Sequence, residues 1–520
     1  MSATTLRDAE QARLAGDLDA AMAACRGVLA GLPDDPAALN LIAAIAADRG
    51  QIEEGLAWAA RAARADSRAA GPHYTMGRLF EMQQRLGEAE ASYRRAIDLA
   101  PRDARAHNNL GVVLQMQGRA ADALACYRAA VELAPDLPEA NQNYASIARD
   151  PAALERAVRG FRARTETNPE DAAAYNSAAN ALRELGRHDE SLAAYDRAIA
   201  LQPDFAEARF NRSMVLLQTA DYARGWPEYE WRLKTPTHGG SAARFAQPMW
   251  HGRETARTVL VHAEQGLGDT IQFARFAPLA AARCGALVLE VQPEVFPVLT
   301  IMKGAPRIVV RGDPLPPFEM HAPLLSLPAL LGTTIESIPW DGPYIQAPHE
   351  RVMAWRRAFA KRRRHFNVGL VWAGRPQHWD DLNRSVPLAR LSPLARVPDV
   401  SFFSLQLGPA AEEAKHPPSG MELLDLTSLI RDFADTAALV SFLDLVVTVD
   451  TSVAHLAGAM GVPTWVLLAH APDWRWHLAR EDSPWYPSTK LFRQPTDGDW
   501  GGAVERMAAG LERAAAAKPR

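Results

Sequence analysis

The sequence predicts two kinds of structure in one chain, an all-α array of helix pairs followed by an α/β region built on parallel sheets. Three observations predict this order. Small residues, tyrosines and prolines recur every 34 positions in the first half, the period ends near residue 235, and short apolar runs then alternate with helix-length segments. With 520 residues, the chain is long enough for two or three domains.

The first half has the spacing of tetratricopeptide repeats. Gly77 and Gly111 are one period apart, as are Tyr93 and Tyr127. The same period relates these further pairs: Ala89 and Ala123, Ala96 and Ala130, Pro101 and Pro135. In such repeats small residues let two antiparallel helices approach, an aromatic ring fills the gap, and proline ends the second helix. We expect about seven units over residues 1–235, the fifth of them (138–171) degenerate.

Three asparagines share one position of this repeat, namely Asn109, Asn143 and Asn211. An amide offers both a donor and an acceptor, which suits sequence-tolerant binding of a peptide backbone. The alternative is that these side chains only solvate a helix face, and the spacing alone does not decide between the two. The array resembles that of the nucleocytoplasmic O-GlcNAc transferases, whose asparagine ladder binds peptide, and this resemblance favours an acceptor-peptide groove.

The second half is predicted to contain two parallel sheets. A linker at 236–255 precedes a first lobe at 256–350, a second lobe at 351–500, and a C-terminal helix and tail at 501–520. The basic segment near 351–366 is predicted to be a solvated helix face at the joint between the lobes. The predicted strands are the runs "TVLVHA", "ALVLEV", "RIVVR", "FNVGLVW", "VSFFSLQL", "LVVTVD" and "TWVLL".

Composition restricts the function classes. The 57 basic and 61 acidic residues give a net charge of -4, which offers no electrostatic footprint for nucleic acid or an anionic membrane. The three cysteines lack metal-ligand spacing and suggest no disulfide framework. The N-terminus lacks the apolar core of a signal peptide, and no apolar run is long enough to span a membrane. We expect a soluble, cytoplasmic protein.

The stretch "HAEQGLGDTIQF" (262–273) indicates a strand, a glycine turn and a helix. Gly266 and Gly268 allow a ligand to approach the backbone at the carboxyl end of a strand. Ile271 stands where a dinucleotide fingerprint would have its third glycine, which disfavours a Rossmann dehydrogenase. Asp269 is a candidate general base, and the simpler interpretation is that it caps the helix that follows. Glu264, at the same strand end, is the next candidate base.

A second candidate site lies at "LVVTVDTSVAHLAGAMGVPTWVLL" (445–468). A buried strand ends at Asp450, Thr451 and Ser452 begin a helix, and His455 follows in its first turn. Free N–H groups, two hydroxyls and the positive end of a helix are typical of a phosphate site. The alternative is an ordinary capped helix with a core histidine.

A third polar loop follows the strand "GLVWAG", with Gly374, Arg384 and Ser385 placed to contact a phosphate. Gln406 ends the next strand and could hydrogen-bond a base or sugar. In "DWRWHLAREDSPWYP" the tryptophans are expected in the core, and Arg475 either joins them or faces the cleft. Neither the adjacent acids Asp380 and Asp381 nor the later "DGD" (497–499) predicts a metal site.

Together, "EQGLGDTIQFARF", "NRSVPL" and "VTVDTSVAHLAGAMGVPTW" resemble the GT-B glycosyltransferases of family nine, the heptosyltransferase-like group, fused to tetratricopeptide repeats. The resemblance covers about residues 245–500 and implies two Rossmann-like lobes, the first for the acceptor and the second for a nucleotide-sugar. It implies that Asp269 is the catalytic base and that the segment Asp450–His455 holds the donor phosphates. Ser452 replaces the family's usual glycine, Arg384 its lysine and Gln406 its acidic residue, and these departures leave the donor open.

The resemblance implies an inverting, metal-independent transfer of a sugar from a nucleotide-sugar to a hydroxyl. Because the repeats suit a protein partner, the first prediction is a Ser or Thr of a protein acceptor, as in bacterial flagellin glycosyltransferases. One alternative is a heptosyltransferase-like enzyme that acts on a lipopolysaccharide or another glycan. Another is a non-catalytic repeat scaffold whose second half has lost its activity.

Overall fold

The computed structural model describes residues 2–14, 16–148, 150–236, 239–359, 366–376, 378, 380–496 and 498–518. The chain forms two compact units, residues 1–169 and residues 170–520. The second unit contains both the last helices of the array and the α/β region. The boundaries predicted at 235, 255, 350 and 500 remain predictions.

The first unit is all-α, and its described residues form five helix pairs. Only two or three residues separate the two helices of each pair, as the 34-residue period predicts. The helices are α1 (Ser2–Leu14), α2 (Leu18–Gly31), α3 (Pro36–Asp48), α4 (Ile52–Ala65), α5 (Ala70–Met82), α6 (Leu86–Leu99), α7 (Ala104–Met116), α8 (Ala120–Leu133), α9 (Pro138–Ala148) and α10 (Pro151–Thr167).

The packing within the pairs explains the repeat pattern. The ring of Tyr93 fills the space over Gly77, where a Cβ atom would lie 2.7 Å from the ring. Tyr127 covers Gly111 in the same way, at 2.6 Å. The degenerate fifth unit still forms a helix pair, because Asp150 accepts a hydrogen bond from Ala152 N and starts α10.

The second unit begins with two more helix pairs of the same kind. They are α11 (Ala172–Glu184), α12 (His188–Leu201), α13 (Ala206–Gln218) and α14 (Tyr222–Tyr229). Two 3₁₀ segments follow, Glu230–Lys234 and Gly239–Arg244. The described part of the chain therefore contains seven helix pairs.

The first sheet has four parallel strands in the order β3-β2-β1-β4. Strand β1 lies inside the sheet, and the chain continues to one side through β2 and β3 before β4 adds on the other. The elements are β1 (Thr258–His262), α15 (Leu267–Phe273), α16 (Ala277–Ala281), β2 (Ala286–Val291), α17 (Phe296–Leu299), β3 (Arg307–Val310), β4 (Met320–Pro323) and α18 (Leu327–Leu330).

The second sheet has six parallel strands in the order β10-β9-β8-β5-β6-β7. Strands β5 and β8 are neighbours at its centre and are buried along their whole length. The elements are α19 (His349–Phe359), β5 (Phe366–Val371), α20 (Asp381–Arg384), β6 (Val400–Ser404), β7 (Leu423–Asp425), α21 (Phe433–Val440), β8 (Leu445–Val449), α22 (Ser452–Ala459), β9 (Thr464–Leu468), β10 (Thr489–Arg493) and α23 (Trp500–Ala517).

The last helix pair shares a hydrophobic core with the α/β region of its own unit. Trp226 packs edge-on against Trp474, with ring centroids 5.4 Å apart, and also contacts Phe273 of α15. Gln218 Nε2 donates to Pro472 O at 2.8 Å. The end of the array is thus packed directly against the two segments that carry Asp269 and Arg475.

The seven predicted strands are present in the structure, and both sheets are parallel as expected. Strands β4, β7 and β10 were not predicted. The three cysteines are free. Among the described residues, no helix is both long and apolar enough to cross a membrane.

Candidate functional site

The loops that carry the predicted site residues follow β1 in the first sheet and β5 and β8 in the second. In each sheet, the chain adds strands first on one side of this position and then on the other. The Gly266–Asp269 turn follows β1, which lies between β2 and β4. The Gly374 loop follows β5 and the Asp450–Ser452 turn follows β8, its neighbour. In open parallel sheets, this carboxyl-end position is where loops diverge and leave a crevice for a ligand.

The turn after β1 directly contacts helix α22 of the second sheet. A Cβ atom added to Gly268 would lie 2.8 Å from His455 Cδ2 and 3.3 Å from Ser452 Cα. Only glycine permits this approach without displacing one of the two elements. The two stretches that the sequence singled out independently therefore meet in space.

Asp269 has both of its carboxylate oxygens occupied. Gly266 N donates to Oδ2 at 2.8 Å, and Arg475 Nη2 donates to Oδ1. Helix α15 begins at Leu267, with Gly266 as its N-cap, so Asp269 is the third residue of the helix. The expectation that Asp269 stands just before the helix is therefore wrong. Its side chain reaches back to the N-cap backbone, as the third helical residue does in a capping box.

Arg475 is the centre of a buried ion-pair network. Its Nη1 donates to Asp473 Oδ1 at 2.9 Å and its Nε to Gln272 Oε1 at 2.8 Å. Its guanidinium lies 4.4 Å from the ring centroid of Trp474. Asp473 and Asp269 favour its charged form and raise its pKa, although burial acts in the opposite direction. Arg475 is thus buried, as one expectation had it, and is paired with Asp269, whereas its position facing a cleft stays a prediction.

The N-terminus of α22 lacks a side-chain cap. Thr451 occupies the N-cap position, but its Oγ1 pairs with Thr448 Oγ1 at 3.1 Å instead of with the helix backbone. In the described part of the chain, the N–H groups of Ser452 and Val453 have no hydrogen-bond partner. These two donors, at the positive end of an eight-residue helix, are suited to an anionic oxygen.

His455 lies on the same helix turn and is almost completely buried. Its Nδ1 is hydrogen-bonded to the hydroxyl of Tyr486 at 3.0 Å, and its ring stacks on Trp476 with centroids 5.5 Å apart. Burial, together with the positive charges of Arg475 and Arg275, lowers the pKa of His455 well below its ordinary value. The imidazole is therefore neutral at neutral pH.

Asp450 and Arg384 lie beside this helix end. Arg384 Nη1 donates to the carbonyl oxygen of Asp450 at 3.1 Å. Burial and the nearby Asp473 carboxylate raise the pKa of Asp450 to about 6, although Arg384 and Arg475 oppose the shift. One connected region thus contains six of the residues predicted to contact a phosphate, namely Arg384, Asp450, Thr451, Ser452, His455 and Arg475.

The loop after β5 is held by hydrogen bonds within itself. Ser385 Oγ accepts from Gly374 N and donates to Asp381 Oδ1, each at 2.9 Å. A Cβ atom on Gly374 would lie 2.5 Å from Asp381 Oδ1 and 2.6 Å from Arg384 Nη2, so the absence of a side chain lets both groups lie close to the backbone.

Both polar atoms of the Gln406 amide are hydrogen-bonded to backbone groups. Its Oε1 accepts from Trp372 N and Ala373 N, and its Nε2 donates to Ala373 O and Leu407 O. These four bonds tie the end of β5 to the segment after β6. The structure thus displays a structural role for Gln406, and the predicted contact with a base or sugar remains a prediction.

Glu264 forms a buried ion pair with Arg232. The two oxygens of Glu264 accept from Arg232 Nη2 at 2.7 Å and Nε at 3.3 Å. The Arg232 side chain is completely buried, and that of Glu264 is 2% exposed. This geometry connects the 3₁₀ segment after α14 to the end of β1 and does not expose Glu264 as a base.

The three asparagines of the array bond to neighbouring repeats. Asn109 Nδ2 donates to Tyr74 Oη at 3.1 Å, and Asn143 Nδ2 donates to Asn108 Oδ1 at 2.9 Å. In the second unit, Asn211 Nδ2 donates to Asn176 Oδ1 at 3.3 Å. Each amide thus joins one repeat to the repeat before it, a role that neither sequence interpretation included.

Sequence reasoning missed several side chains that hold this region together. Tyr486 fixes His455, Gln272 and Asp473 fix Arg475, and Arg232 neutralises Glu264. Asp473 and Tyr486 both lie in "DWRWHLAREDSPWYP", where polar residues between tryptophans were the available signal. Among the described residues, no group of three or more His, Cys, Asp or Glu could hold a metal ion. Asp497 of the "DGD" run is not among the described residues.

Comparisons with known proteins agree with the repeat array. Two family models match, "Tetratricopeptide repeat" over residues 74–138 and "TPR repeat" over residues 179–219. The chain therefore contains tetratricopeptide repeats, followed by an α/β region with parallel sheets.

A curated relative extends the similarity beyond the repeats. Protein FlbA of Caulobacter vibrioides is 27% identical over 363 residues, which are 63% of this chain and 59% of that protein. The chain thus matches somewhat more than half the length of this relative.

Solved structures of repeat proteins are also similar over part of the chain. The structure of YrrB, described as a TPR protein with an unusual peptide-binding site, is 24% identical over 35% of this chain and 95% of its own, with a TM-score of 0.24. A thermophilic TPR protein of Thermus thermophilus is 21% identical over 42% of this chain and 100% of its own, with a TM-score of 0.28.

Proposed function

We propose that the protein is a glycosyltransferase that moves a sugar from a nucleotide-sugar to a hydroxyl of a protein acceptor, such as a Ser or Thr of flagellin. The observation that carries the proposal is the direct contact between the Asp269 turn and the uncapped end of α22. This contact supports the proposal, because it joins the turn that carries Asp269 to the helix end that carries two free N–H groups, at the carboxyl ends of two parallel sheets.

In the proposed reaction, the acceptor oxygen bonds to the anomeric carbon while the bond from that carbon to the phosphate oxygen breaks. The configuration at the anomeric carbon is inverted, and the acceptor proton passes to Asp269. Each carboxylate oxygen of Asp269 accepts one hydrogen bond in the structure, so each keeps a second lone pair for a proton.

The departing diphosphate carries negative charge that the α22 end can stabilise. The free N–H groups of Ser452 and Val453, the imidazole of His455 and the guanidinium of Arg384 are the proposed donors. Fixed donors of this kind favour the charge that develops in the transition state. The helix pairs of the array are proposed to bind the acceptor polypeptide.

The test compares Asp269→Asn with Asp473→Asn in the full chain. Each variant removes one carboxylate partner of Arg475, but only the first removes the proposed base. We expect Asp269→Asn to lower sugar transfer by roughly 100- to 10,000-fold with little effect on donor binding. Asp473→Asn should lower transfer far less. Equal losses in the two variants would show that Asp269 matters only as a partner of Arg475.

The acceptor is tested in cells that lack the gene. Mass spectrometry should show that a surface protein has lost the mass of a sugar. A truncated lipopolysaccharide with unmodified surface proteins would instead indicate a glycan acceptor.

A non-catalytic scaffold is the second candidate, because Asp269 and Gln406 both have their polar atoms bonded within the protein. Such bonding is also what a purely structural joint would show. A panel of nucleotide-sugars separates the two, since a transferase is stabilised thermally by its donor and a scaffold by none.

A further inference from the structure

His455 is held in one orientation by its neighbours. Trp476, which is fully buried, stacks on one face of its ring, and Gly268 approaches its Cδ2–Nε2 edge. Tyr486 lies flat against α22, because a Cβ atom on Gly458 would be 2.6 Å from Tyr486 Cγ. The imidazole thus has little freedom to rotate.

The two ring nitrogens of His455 have different surroundings. Nδ1 is paired with the hydroxyl of Tyr486, whereas Nε2 has no hydrogen-bond partner among the described residues. A Cβ atom added to Gly268 would lie 3.5 Å from Nε2 and 3.3 Å from Ser452 Cα, so Nε2 and the first residue of α22 approach the same point. Nε2 is therefore an unpartnered polar atom of a side chain that is only 5% exposed, and it points towards the start of α22.

The charges around this pair keep the imidazole neutral and favour the phenol as the donor. The guanidinium of Arg275 lies 4.5 Å from the Tyr486 ring centroid, and the positive charges of Arg275 and Arg475 both act on His455. Two nearby positive charges disfavour an imidazolium and favour a phenol that donates its proton outward. A neutral imidazole that accepts at Nδ1 must carry its proton at Nε2.

From this geometry we infer that Tyr486 donates to His455 Nδ1 and so fixes the tautomer that presents Nε2–H to an anionic phosphate oxygen bound at the start of α22. In this arrangement His455 binds the phosphate as a donor and does not act as a base, and Tyr486 is its positioning residue. The inference rests on the proposed function in so far as the phosphate belongs to a nucleotide-sugar.

The tautomer is measured directly by ¹⁵N NMR of the full chain with labelled histidine. The His455→Gln spectrum identifies the His455 signals among the 14 histidines. We expect a protonated Nε2 and an acceptor Nδ1 that do not change between pH 6 and pH 8. In Tyr486→Phe, which keeps the ring, the two tautomers should become mixed. A wild-type spectrum with the proton on Nδ1 would overturn the inference.

Binding is measured by calorimetry with inorganic pyrophosphate as the probe. Tyr486→Phe should weaken binding roughly 3- to 10-fold, the effect expected for one lost hydrogen bond. Tyr222→Phe is the matched control, because its hydroxyl pairs with His477 and does not touch His455. It should leave both the tautomer and the affinity unchanged. The inference fails if wild-type protein does not bind pyrophosphate, or if Tyr486→Phe binds it as tightly as wild type.

The tests of the Tyr486–His455 pair and of the glycosyltransferase proposal can give different results. Suppose that pyrophosphate binds and the Nε2–H tautomer is observed, while no nucleotide-sugar is bound or cleaved. The glycosyltransferase proposal is then wrong, and the phosphate site with its Tyr486–His455 pair stands.

Discussion

Asp269 and Asp450 belong to the turns after β1 and β8, and their surroundings differ. Asp269 is ion-paired with Arg475. Asp450 is desolvated and faces Asp473, which raises its pKa to about 6. The charge beside the N-terminus of α22 therefore depends on pH through Asp450.

The raised pKa of Asp450 predicts a pH-dependent stability. Since the folded-state pKa exceeds the ordinary value of 3.8, its proton stabilises the fold, and this stabilisation is lost as the pH rises from about 4 through about 6. Asp450→Asn imitates the protonated form. Relative to wild type, it should gain on the order of 2 kcal/mol between pH 4 and pH 7.

The measurement is the thermal unfolding of both proteins across this pH range. Asp341→Asn, which changes an exposed loop carboxylate, is the control and should show no such trend. A constant difference between Asp450→Asn and wild type would contradict the assigned pKa.

At the scale of single residues, the sequence predicted types of side chain better than their partners. Thr451, Ser452 and His455 do stand at a helix start, because local spacing fixes their positions on the helix. The partners of Asp269 and Glu264 are Arg475 and Arg232, which are 206 and 32 positions away. No local pattern reports such contacts.

At the scale of elements, the contact between α15 and α22 depends on the missing side chain of Gly268. We expect Gly268→Ala to force the two helices apart and to destabilise the protein by about 1–3 kcal/mol. It should also weaken pyrophosphate binding, because Ser452 and His455 would move.

Gly266→Ala is the matched control in the same turn. Its Cβ atom would meet only Asp269 Oδ2, at 3.1 Å, and its φ of -71° suits any residue. Thermal unfolding and calorimetry of the two variants should show the larger losses for Gly268→Ala. Comparable losses would mean that the close approach to α22 is not what requires glycine at 268.

Strands buried on both faces were predictable from sequence, whereas three other strands were not. Strands β5 and β8 read as continuous apolar runs because both of their faces are covered. Strand β10 alternates buried and exposed side chains at the sheet edge, and β7 has three residues. Strand β4 ends in Pro323 and has four residues. Such short strands form because a neighbouring strand is already in place.

At the scale of the whole molecule, the second compact unit begins at residue 170, whereas the last helix of the repeat array ends at Tyr229. The last helix pair supplies Tyr222, Trp226 and Tyr229 to the core that also contains Trp474 and Trp485. The sequence could not predict this for Tyr229, because it stands one period after Tyr195 and so satisfies the repeat pattern and the core equally well. Here the repeat is a structural part of the α/β unit.

This shared core predicts how fragments behave. A fragment of residues 170–520 should fold and unfold cooperatively, because it keeps the whole compact unit. A fragment of residues 245–520 should aggregate, since it exposes the faces of Trp474 and Phe273 and leaves Glu264 buried without Arg232.

Circular dichroism melting and size-exclusion chromatography of the two fragments provide the comparison. A stable, monomeric 245–520 fragment would show that the repeat contacts contribute little to the core.

The aromatic packing of the last repeat also limits how the chain can change its length. A 34-residue unit added or removed ahead of residue 170 alters the number of helix pairs and leaves every ring around Trp226 in place. The same change at α13 or α14 would remove the rings that pack against Phe273 and Trp474, the neighbours of Asp269 and Arg475. The number of helix pairs can therefore vary at one end of the array, while the other end is fixed by the core that it shares with the α/β region.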